Sequence, residues 1–381
     1  MRVSGMKVIV GMDSFKGSLS SVKANMAVKR GFQKIYHDAD IVTFAMADGG
    51  EGTTETLVDG MKGDLIETTV LGPLGKEVIA SYGYIKSDEL AIIEVASACG
   101  LTLLKNEELN PLKVTSYGVG QMIQHAYKQG ARKYIIGLGG SATNDGGVGM
   151  LQALGFKFLD KNHKEIEFGG EYLKDIAEIV PTQKFKDCHF RVACDVTNQL
   201  YGKNGATYVF GPQKGVTNSQ LEPLDEGLKH FAQKTESLLD IDIASIEGGG
   251  AAGGLGAAFY GYLNGELESG ISLILDVLKV EDAVKEANLV ITGEGQLDAQ
   301  TSMGKVPAGM AKLAKKYDLP TVAIAGALTD DAYSLNEYGI DALFSIQDRP
   351  RDIETAMDSD VTEDGIEKLA EQIARTLHIN L

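Results

Sequence analysis

Short apolar segments that end in glycine-rich, acidic loops recur along this chain and restrict its fold more than any other feature. Residues 7–11 are a β-branched run, and residues 20–36 then have the apolar periodicity of a helix that begins at serines suited to capping. A strand is predicted at residues 41–47 and a helix at about 53–58. This alternation of strand, loop and helix is typical of a parallel sheet.

The pattern changes in the middle of the chain. Alternating runs at residues 65–70, 78–85 and 90–95 are separated by turns, which predicts antiparallel hairpins and a separate domain. From residue 287 to the end a regular succession of strands and helices returns. We therefore expect a doubly wound parallel domain built from both termini, residues 1–70 plus 285–381, with a mixed α/β domain, residues 71–284, inserted between its halves.

Composition limits the possible partners. The formal net charge of −17 argues against nucleic acid and against an anionic membrane surface, because both are bound mainly by lysine and arginine. No apolar run approaches the roughly 20 residues of a membrane helix. The first residues lack the continuous apolar segment and the cleavage site of a signal peptide. Met6 resembles a natural start, and residues 1–5 are expected to be leader. Three cysteines without metal-ligand spacing indicate buried thiols in a reducing, cytoplasmic compartment.

Five loops that follow predicted strands carry more polar groups than a turn requires. They span residues 12–18, 47–53, 137–149, 194–198 and 292–305. Ligands bind at the carboxyl ends of strands in open α/β sheets, although caps and turns would explain each loop taken singly. Their carboxylates would repel one another if they converged without cations. These carboxylates are Asp13, Asp48, Glu51, Asp145, Asp195, Glu294 and Asp298.

Phosphoryl transfer accounts best for this mixture of residue types. It requires amide donors for phosphate oxygens, carboxylates for Mg²⁺, a carboxylate that orients or deprotonates the attacking hydroxyl, and lysines that neutralise charge. The loops supply the amides and the acids, and the chain offers four candidate lysines. They are Lys16, Lys203, Lys214 and Lys305.

The loop "GLGGSATNDGGVG" at residues 137–149 also begins like a dinucleotide-binding fingerprint. Its second half contains the adjacent glycines Gly146 and Gly147, each of which disfavours helix by roughly 1 kcal/mol, so the helix that the fingerprint requires would be broken. No P-loop and no protein-kinase motif is found. A nicotinamide-dependent dehydrogenase of a small hydroxy acid and a non-catalytic small-acid-binding protein remain alternatives.

Six motifs together resemble those of the bacterial-type glycerate kinases. They are "DSFKGSLS", "ADGGEGT", "GLGGSATNDGG", "ACDVTN", "GGGAAGGLG" and "TGEGQLDAQTSMGK", and they run from residue 13 to residue 305. The resemblance implies ATP-dependent, Mg²⁺-dependent phosphorylation of D-glycerate to 2- or 3-phosphoglycerate. It also implies a Rossmann-like domain and an inserted domain, with the active site in the interdomain cleft. Glycerate and ATP are thus the expected partners of a cytoplasmic monomer or homodimer.

The chemistry of each side chain then predicts roles within such a site. The catalytic candidates are Asp195 or Asp145 as base, with Lys16 binding the glycerate carboxylate or a phosphate. The predicted substrate-binding residues are Asp13, Ser14, Ser18, Asn144 and Asn198. Amide donors and a lysine for nucleotide phosphates are predicted at Gly139, Gly140, Ser141, Gly253, Gly254 and Lys305. The predicted metal ligands are Asp48, Glu51, Glu294 and Asp298.

Overall fold

A computed structural model describes residues 5–379, and residues 1–4 of the predicted leader lie outside the described residues. Its strands, in chain order, are β1 Lys7–Met12, β2 Asp40–Thr43, β3 Asp64–Leu71, β4 Glu77–Ile85, β5 Leu90–Glu94, β6 Lys133–Gly137, β7 Lys157–Leu159, β8 Glu178–Val180, β9 His189–Ala193, β10 Glu266–Glu268, β11 Leu289–Leu297, β12 Thr321–Leu328 and β13 Ala342–Ser345. Its α-helices are α1 Ser21–Gln33, α2 Thr53–Met61, α3 Ala96–Cys99, α4 Tyr117–Lys128, α5 Val148–Leu154, α6 Ala206–Phe210, α7 Asn218–Leu239, α8 Leu255–Leu263, α9 Gly270–Val277, α10 Val280–Val284, α11 Val306–Lys315, α12 Ile353–Met357 and α13 Ser359–Leu377.

The chain divides into two compact units. Unit 1 comprises residues 1–48, 59–61 and 271–381, and unit 2 comprises residues 49–58 and 62–270. Residues 62–70 therefore group with unit 2 and residues 271–284 with unit 1. The division into folding domains at residues 70/71 and 284/285 stays a prediction.

Unit 1 is a doubly wound parallel sheet, as the sequence predicts. Its five strands lie in the order β13-β12-β11-β1-β2, and every neighbouring pair is parallel. Alternate residues of the strands are buried on opposite faces. Val10 and Ile324 pack in one core with Phe32 of α1 and Ile366 of α13, whereas Ala323 belongs to a second core with residues of α11.

The strand order of unit 1 places a switch point between β1 and β11. The chain continues from β1 through α1 to β2 on one side, and from β11 through α11 to β12 on the other. Side chains that follow these two central strands consequently meet at one carboxyl edge, where doubly wound sheets bind ligands.

Unit 2 contains a six-stranded mixed sheet in the order β10-β9-β6-β5-β4-β3. The three hairpin strands predicted at residues 65–95 are antiparallel, as expected, but β5 also pairs in parallel with β6. The hairpin strands thereby extend the parallel strands β10, β9 and β6. Loops after β5, β6 and β9 share the carboxyl edge of this second sheet.

Tertiary pairing moves several element boundaries away from those predicted. Strand β11 continues to Leu297 because Glu294 and Gln296 pair with Ala325 and Ala327 of β12. The sequence analysis does not identify α7, the 22-residue helix Asn218–Leu239. Among residues 5–379 no helix has both the length and the apolar character needed to cross a membrane.

Candidate active site

A cavity of about 720 Å³ lies in unit 1 beside the loops that follow β1 and β11. The loop after β1 is held against β11 by the backbone, since the Asp13 N–H donates to the Gly293 carbonyl at 2.8 Å. Eight residues that the sequence analysis selected from separate motifs line this one cavity. They are Asp13, Ser14, Lys16, Ser18, Asp48, Glu294, Asp298 and Lys305.

Asp13 is the most deeply placed carboxyl group of the cavity, with 6% of its surface exposed. Its carboxylate accepts a hydrogen bond from the Ser14 N–H at 2.6 Å. Burial is the largest cause of the shift that raises the pKa of Asp13 to about 7, and the charges of Asp48 and Glu294 contribute to it. The hydrogen bond from the Ser14 N–H and the charge of Lys16 oppose the shift. The carboxylates thus converge, and their mutual repulsion calls for a cation.

Glu294 and Lys305 line the cavity together with Asp13, and the end of the cavity that holds Asp13, Asp48 and Glu294 is its acidic end. Glu294 accepts a hydrogen bond from the Thr301 hydroxyl at 2.8 Å, and the Lys305 ammonium lies 3.5 Å from its other oxygen. The same ammonium is 3.9 Å from Asp298, which caps the following 3₁₀ turn by accepting from the Thr301 N–H. Burial raises the pKa of Glu294, while Thr301 and Lys305 oppose the shift. Lys305 therefore balances part of the negative charge.

The loop after β1 contributes two further polar side chains. Lys16 is exposed at the cavity, and the Ser18 hydroxyl lies 2.6 Å from the Thr362 hydroxyl of α13. Glu51, the fourth predicted metal ligand, is exposed in unit 2 and is not among the residues that line the cavity. Within residues 5–379 no group of three or more His, Cys, Asp or Glu side chains is arranged to hold a metal ion without other ligands.

The sequence analysis missed the side chains at the other end of the cavity. Arg349, Arg351, Ile353 and Met357 line it, together with Ile346 at the end of β13. The segment "IQDRPRD" at residues 346–352 follows a strand and is polar, which is the same signal that identified the other loops. It contains neither a glycine nor a familiar motif, so the sequence alone does not distinguish it from an ordinary polar turn.

In unit 2, Asp145 is enclosed by the loop that carries it. Only 1% of its surface is exposed, and its carboxylate accepts four hydrogen bonds. The donors are the Ser116 N–H at 2.9 Å, the Ser116 hydroxyl at 2.8 Å, and the N–H groups of Gly147 at 3.1 Å and Gly149 at 3.3 Å. Burial raises its pKa against these donors. In this arrangement Asp145 fixes the starts of α4 and α5, and its catalytic role stays a prediction.

The same loop does not form a dinucleotide fingerprint. Helix α5 begins at Val148 after Gly147, whose φ of 73° is left-handed, so the final fingerprint position, Ala142, lies outside any helix. The break expected from the paired glycines is confirmed.

A buried lysine lies under the exposed turn of this loop. The Lys214 ammonium donates to the Ser141 hydroxyl at 3.0 Å and to the Thr143 carbonyl at 2.8 Å, and burial lowers its pKa to about 8. Gly139 and Gly140 are exposed, and within the described part of the chain their N–H groups make no hydrogen bond to protein. The turn therefore combines available amides with a buried positive charge.

The other predicted residues of unit 2 have mixed surroundings. Gly253 and Gly254 are buried against the Asp145 loop instead of facing solvent. Asn144 is also buried, where its amide donates to Thr207 at 2.9 Å. Asp195 is exposed after β9 and accepts from the Gly270 N–H at 3.0 Å, while the Asn198 amide donates to the Asn204 carbonyl. Their predicted roles, like those of all the site residues, stay predictions.

Comparison with known proteins gives one consistent result. The model of the glycerate kinase family matches residues 8–378. The chain is 46% identical to glycerate 2-kinase of Escherichia coli K12 and 47% identical to glycerate kinase of Bacillus subtilis 168, over 90% of each chain. A crystal structure of a Salmonella typhimurium LT2 protein named glycerate kinase 2 superimposes with a TM-score of 0.90 at 42% identity, covering 98% of this chain and 99% of that one. This chain belongs to the glycerate kinase family.

Proposed function

We propose that the protein transfers the γ-phosphoryl group of ATP to a hydroxyl of D-glycerate. Family membership supports this reaction. The structural observation that carries it is the acidic end of the unit 1 cavity, where Asp13, Asp48 and Glu294 gather beside Lys16 and Lys305. Carboxylates and lysines in one cavity are the side chains that phosphoryl transfer requires, since there is little covalent chemistry for the protein to perform.

The residues of the cavity suit Mg²⁺. Mg²⁺ prefers oxygen ligands and is usually held by one or two carboxylates together with substrate phosphates and water. Asp48, Glu294 and Asp298 offer carboxylate oxygens, and Mg²⁺ at this site would need phosphate and water as further ligands because the described residues provide no complete protein cage. When bound, the ion neutralises phosphate charge and keeps the transferred group in position.

The side chains divide the remaining work by charge. Asp13 is the carboxylate best placed to orient the glycerate hydroxyl and accept its proton, because it is buried at the base of the loop after β1. Lys16 and Lys305 stabilise the negative charge of the phosphoryl group as it moves. In this assignment Asp13 replaces Asp145, whose four hydrogen bonds already engage its carboxylate, and Asp195 remains the alternative base.

The turn at Gly139 and Gly140 is an anion-binding element in this proposal. Its exposed amides point to phosphate or carboxylate recognition, and Lys214 beneath it adds a positive charge that water screens little. Lys214 acts through Ser141 and Thr143, so we regard it as a positioning residue.

The acceptor is proposed to be the 2-hydroxyl of glycerate. The relative from Escherichia coli is named glycerate 2-kinase, and the chain is 46% identical to it. ³¹P NMR of the product formed from ATP, Mg²⁺ and D-glycerate distinguishes 2-phosphoglycerate from 3-phosphoglycerate. The proposed reaction is refuted if the purified chain forms no ADP in response to glycerate, and the proposed position is refuted if 3-phosphoglycerate accumulates first.

The experiment that tests the assignment of Asp13 uses Asp13→Asn beside Asp195→Asn. Asp13→Asn is expected to lower kcat by about 10²–10⁴-fold with a smaller change in the KM for ATP, since removal of a positioned proton acceptor acts mainly on the transition state. Asp195→Asn is expected to change kcat by less than about tenfold. The reverse result would assign the base to Asp195.

A further inference from the structure

The end of the unit 1 cavity next to β13 has a character unlike that of its acidic end. Ile353 and Met357 both line it although 77% and 42% of their surfaces are exposed. They are four residues apart on α12, and side chains at this spacing lie on one face of a helix. Ile346, which is buried at the end of β13, continues this apolar surface. Exposed apolar side chains that converge on a cavity indicate a ligand with an apolar part.

The charge at this end is opposite in sign to that of the acidic end. Arg349 and Arg351 line the cavity, and both guanidinium groups contact one carboxylate, Asp348, at 3.2 and 2.7 Å. Two arginines with a single acid leave a net positive charge beside the apolar surface. Guanidinium groups bind phosphates and stack on flat rings, so this combination suits a ligand that has both.

The size of the cavity excludes glycerate as its only occupant. Glycerate has about seven non-hydrogen atoms, whereas cavities of roughly 300–1,000 Å³ enclose ligands of drug size, and this one measures about 720 Å³. The lining residues extend from the loop after β1, across β11 and β12, to the loop after β13. Neighbouring strands lie about 4.8 Å apart, so these three steps span about 14 Å. A three-carbon acid, which is polar throughout, fills neither that length nor the apolar end.

We propose that the β13 end of the cavity is the nucleoside pocket, which holds the base of ATP against Ile346, Ile353 and Met357. The phosphates extend from Arg349 and Arg351 towards Lys305 and the carboxylates. This inference rests on the proposed kinase function and adds the location and the orientation of the nucleotide. Since the pocket is apolar, it recognises the ring mainly by its faces.

Four variants of the full-length chain test the pocket. Ile353→Ser and Met357→Ala remove apolar contacts from exposed positions, where folding is little affected. Ile79→Ser and Met26→Ala are matched controls, because these side chains are 71% and 41% exposed and neither lines the cavity. Steady-state kinetics give the KM for ATP and the KM for glycerate of each variant.

The proposal predicts a specific pattern in these constants. The KM for ATP should rise by about five- to tenfold in Ile353→Ser and Met357→Ala, with kcat within about threefold and the KM for glycerate within about twofold. The two controls should match the wild type. An unchanged KM for ATP in both pocket variants, or a rise confined to the KM for glycerate, would overturn the proposal.

Binding of a fluorescent nucleotide separates this inference from the proposed reaction. N-methylanthraniloyl-ADP should bind the wild type, and adenosine, which has no phosphates, should displace it. Adenosine should displace it less effectively from Met357→Ala than from the wild type. Lys305→Met should lower the affinity for ADP and leave the affinity for adenosine unchanged. Wild type that binds the nucleotide but forms no ADP with glycerate would refute the reaction and keep the pocket. Failure of adenosine to compete, or loss of adenosine binding in Lys305→Met, would refute the pocket.

Discussion

Replacing Asp13 with asparagine is expected to stabilise the protein while it removes activity. Asp13 is buried next to two other carboxylates, Asp48 and Glu294, whose charges oppose its ionisation. Asparagine has nearly the same size and its oxygen can still accept the hydrogen bond from the Ser14 N–H. The substitution therefore removes a repulsive charge without creating a cavity. A gain in stability with a loss of activity is common where functional residues destabilise the folded state.

The magnitude follows from the pKa. The pKa of Asp13 is raised from 3.8 to about 7, and at a pH above both values such a shift costs the folded state about 4 kcal/mol. When the pKa of a carboxyl group is higher in the folded state than in the unfolded state, its full contribution to the free energy of unfolding is present below the unfolded-state pKa. That contribution is lost as the pH rises through the folded-state pKa. The gain from Asp13→Asn should thus be near zero below pH 4, increase between pH 4 and 7, and level off at roughly 1–4 kcal/mol.

Urea denaturation at several pH values, in buffer with EDTA, measures this gain. Asp145→Asn is the matched comparison, because Asp145 is equally buried but surrounded by donors instead of acids. Its replacement puts an amide N–H opposite at least one donor and should destabilise the protein by about 2–4 kcal/mol. The two asparagine variants should therefore shift the urea midpoint in opposite directions at pH 8.

Three results would refute this reasoning. If Asp13→Asn lowers stability at pH 8, or if its effect does not depend on pH, burial and the neighbouring carboxylates do not raise the pKa of Asp13 in the folded state. An Asp145→Asn variant with wild-type stability and a more than 100-fold lower kcat would instead support its predicted catalytic role.

Three further predictions concern the cavity of unit 1 and the loops around Asp145 in unit 2. Gly253→Ala places a Cβ 1.9 Å from the Thr143 carbonyl, whereas Gly75→Ala is a control with a similar φ and open space around it. In urea denaturation Gly253→Ala should lower the free energy of unfolding by at least about 2 kcal/mol more than Gly75→Ala. Lys305→Met should reduce kcat/KM for ATP by about 10²-fold in steady-state assays, with partial recovery in Lys305→Arg. Burial lowers the pKa of Lys214 to about 8, so its buried charge reduces the free energy of unfolding below pH 8, and this penalty declines between pH 8 and 10.5. Over that pH range the wild type should gain roughly 1–3 kcal/mol of stability relative to Lys214→Met.

Much of the candidate site in unit 1 could be predicted because the sequence shows where the strands end. Asp13 and Glu294 come directly after or within apolar runs, and parallel strands bring such positions to one edge of the sheet. Arg349 obeys the same rule, since it lies in the loop that follows β13, whereas Met357 lies on the next helix, α12. Neither an arginine nor an apolar side chain distinguishes a binding loop from an ordinary turn or core position in the sequence, so these residues are not predicted.

The roles of residues in unit 2 were harder to predict, because a local sequence does not show what packs against it. The local sequence indicates a catalytic acid at Asp145. In the structure two of the hydrogen bonds to its carboxylate come from Ser116, 29 residues earlier in the chain. Lys214 lies 73 residues after Ser141, and no spacing rule connects them. Such long-range pairs depend on tertiary packing, which periodicity and turn signals do not report.

The glycine-rich motifs show the same limit, because one residue type serves two physical purposes in them. Gly253 and Gly254 allow two loops to approach closely, since a Cβ on either would lie 1.9 or 2.6 Å from backbone atoms of the Asp145 loop. Gly139 and Gly140 are exposed with their amides available, and a Cβ on Gly139 would meet no atom closer than 3.6 Å. Packing therefore explains the first pair. The proposed anion binding therefore concerns the second pair alone, beneath which Lys214 supplies a positive charge.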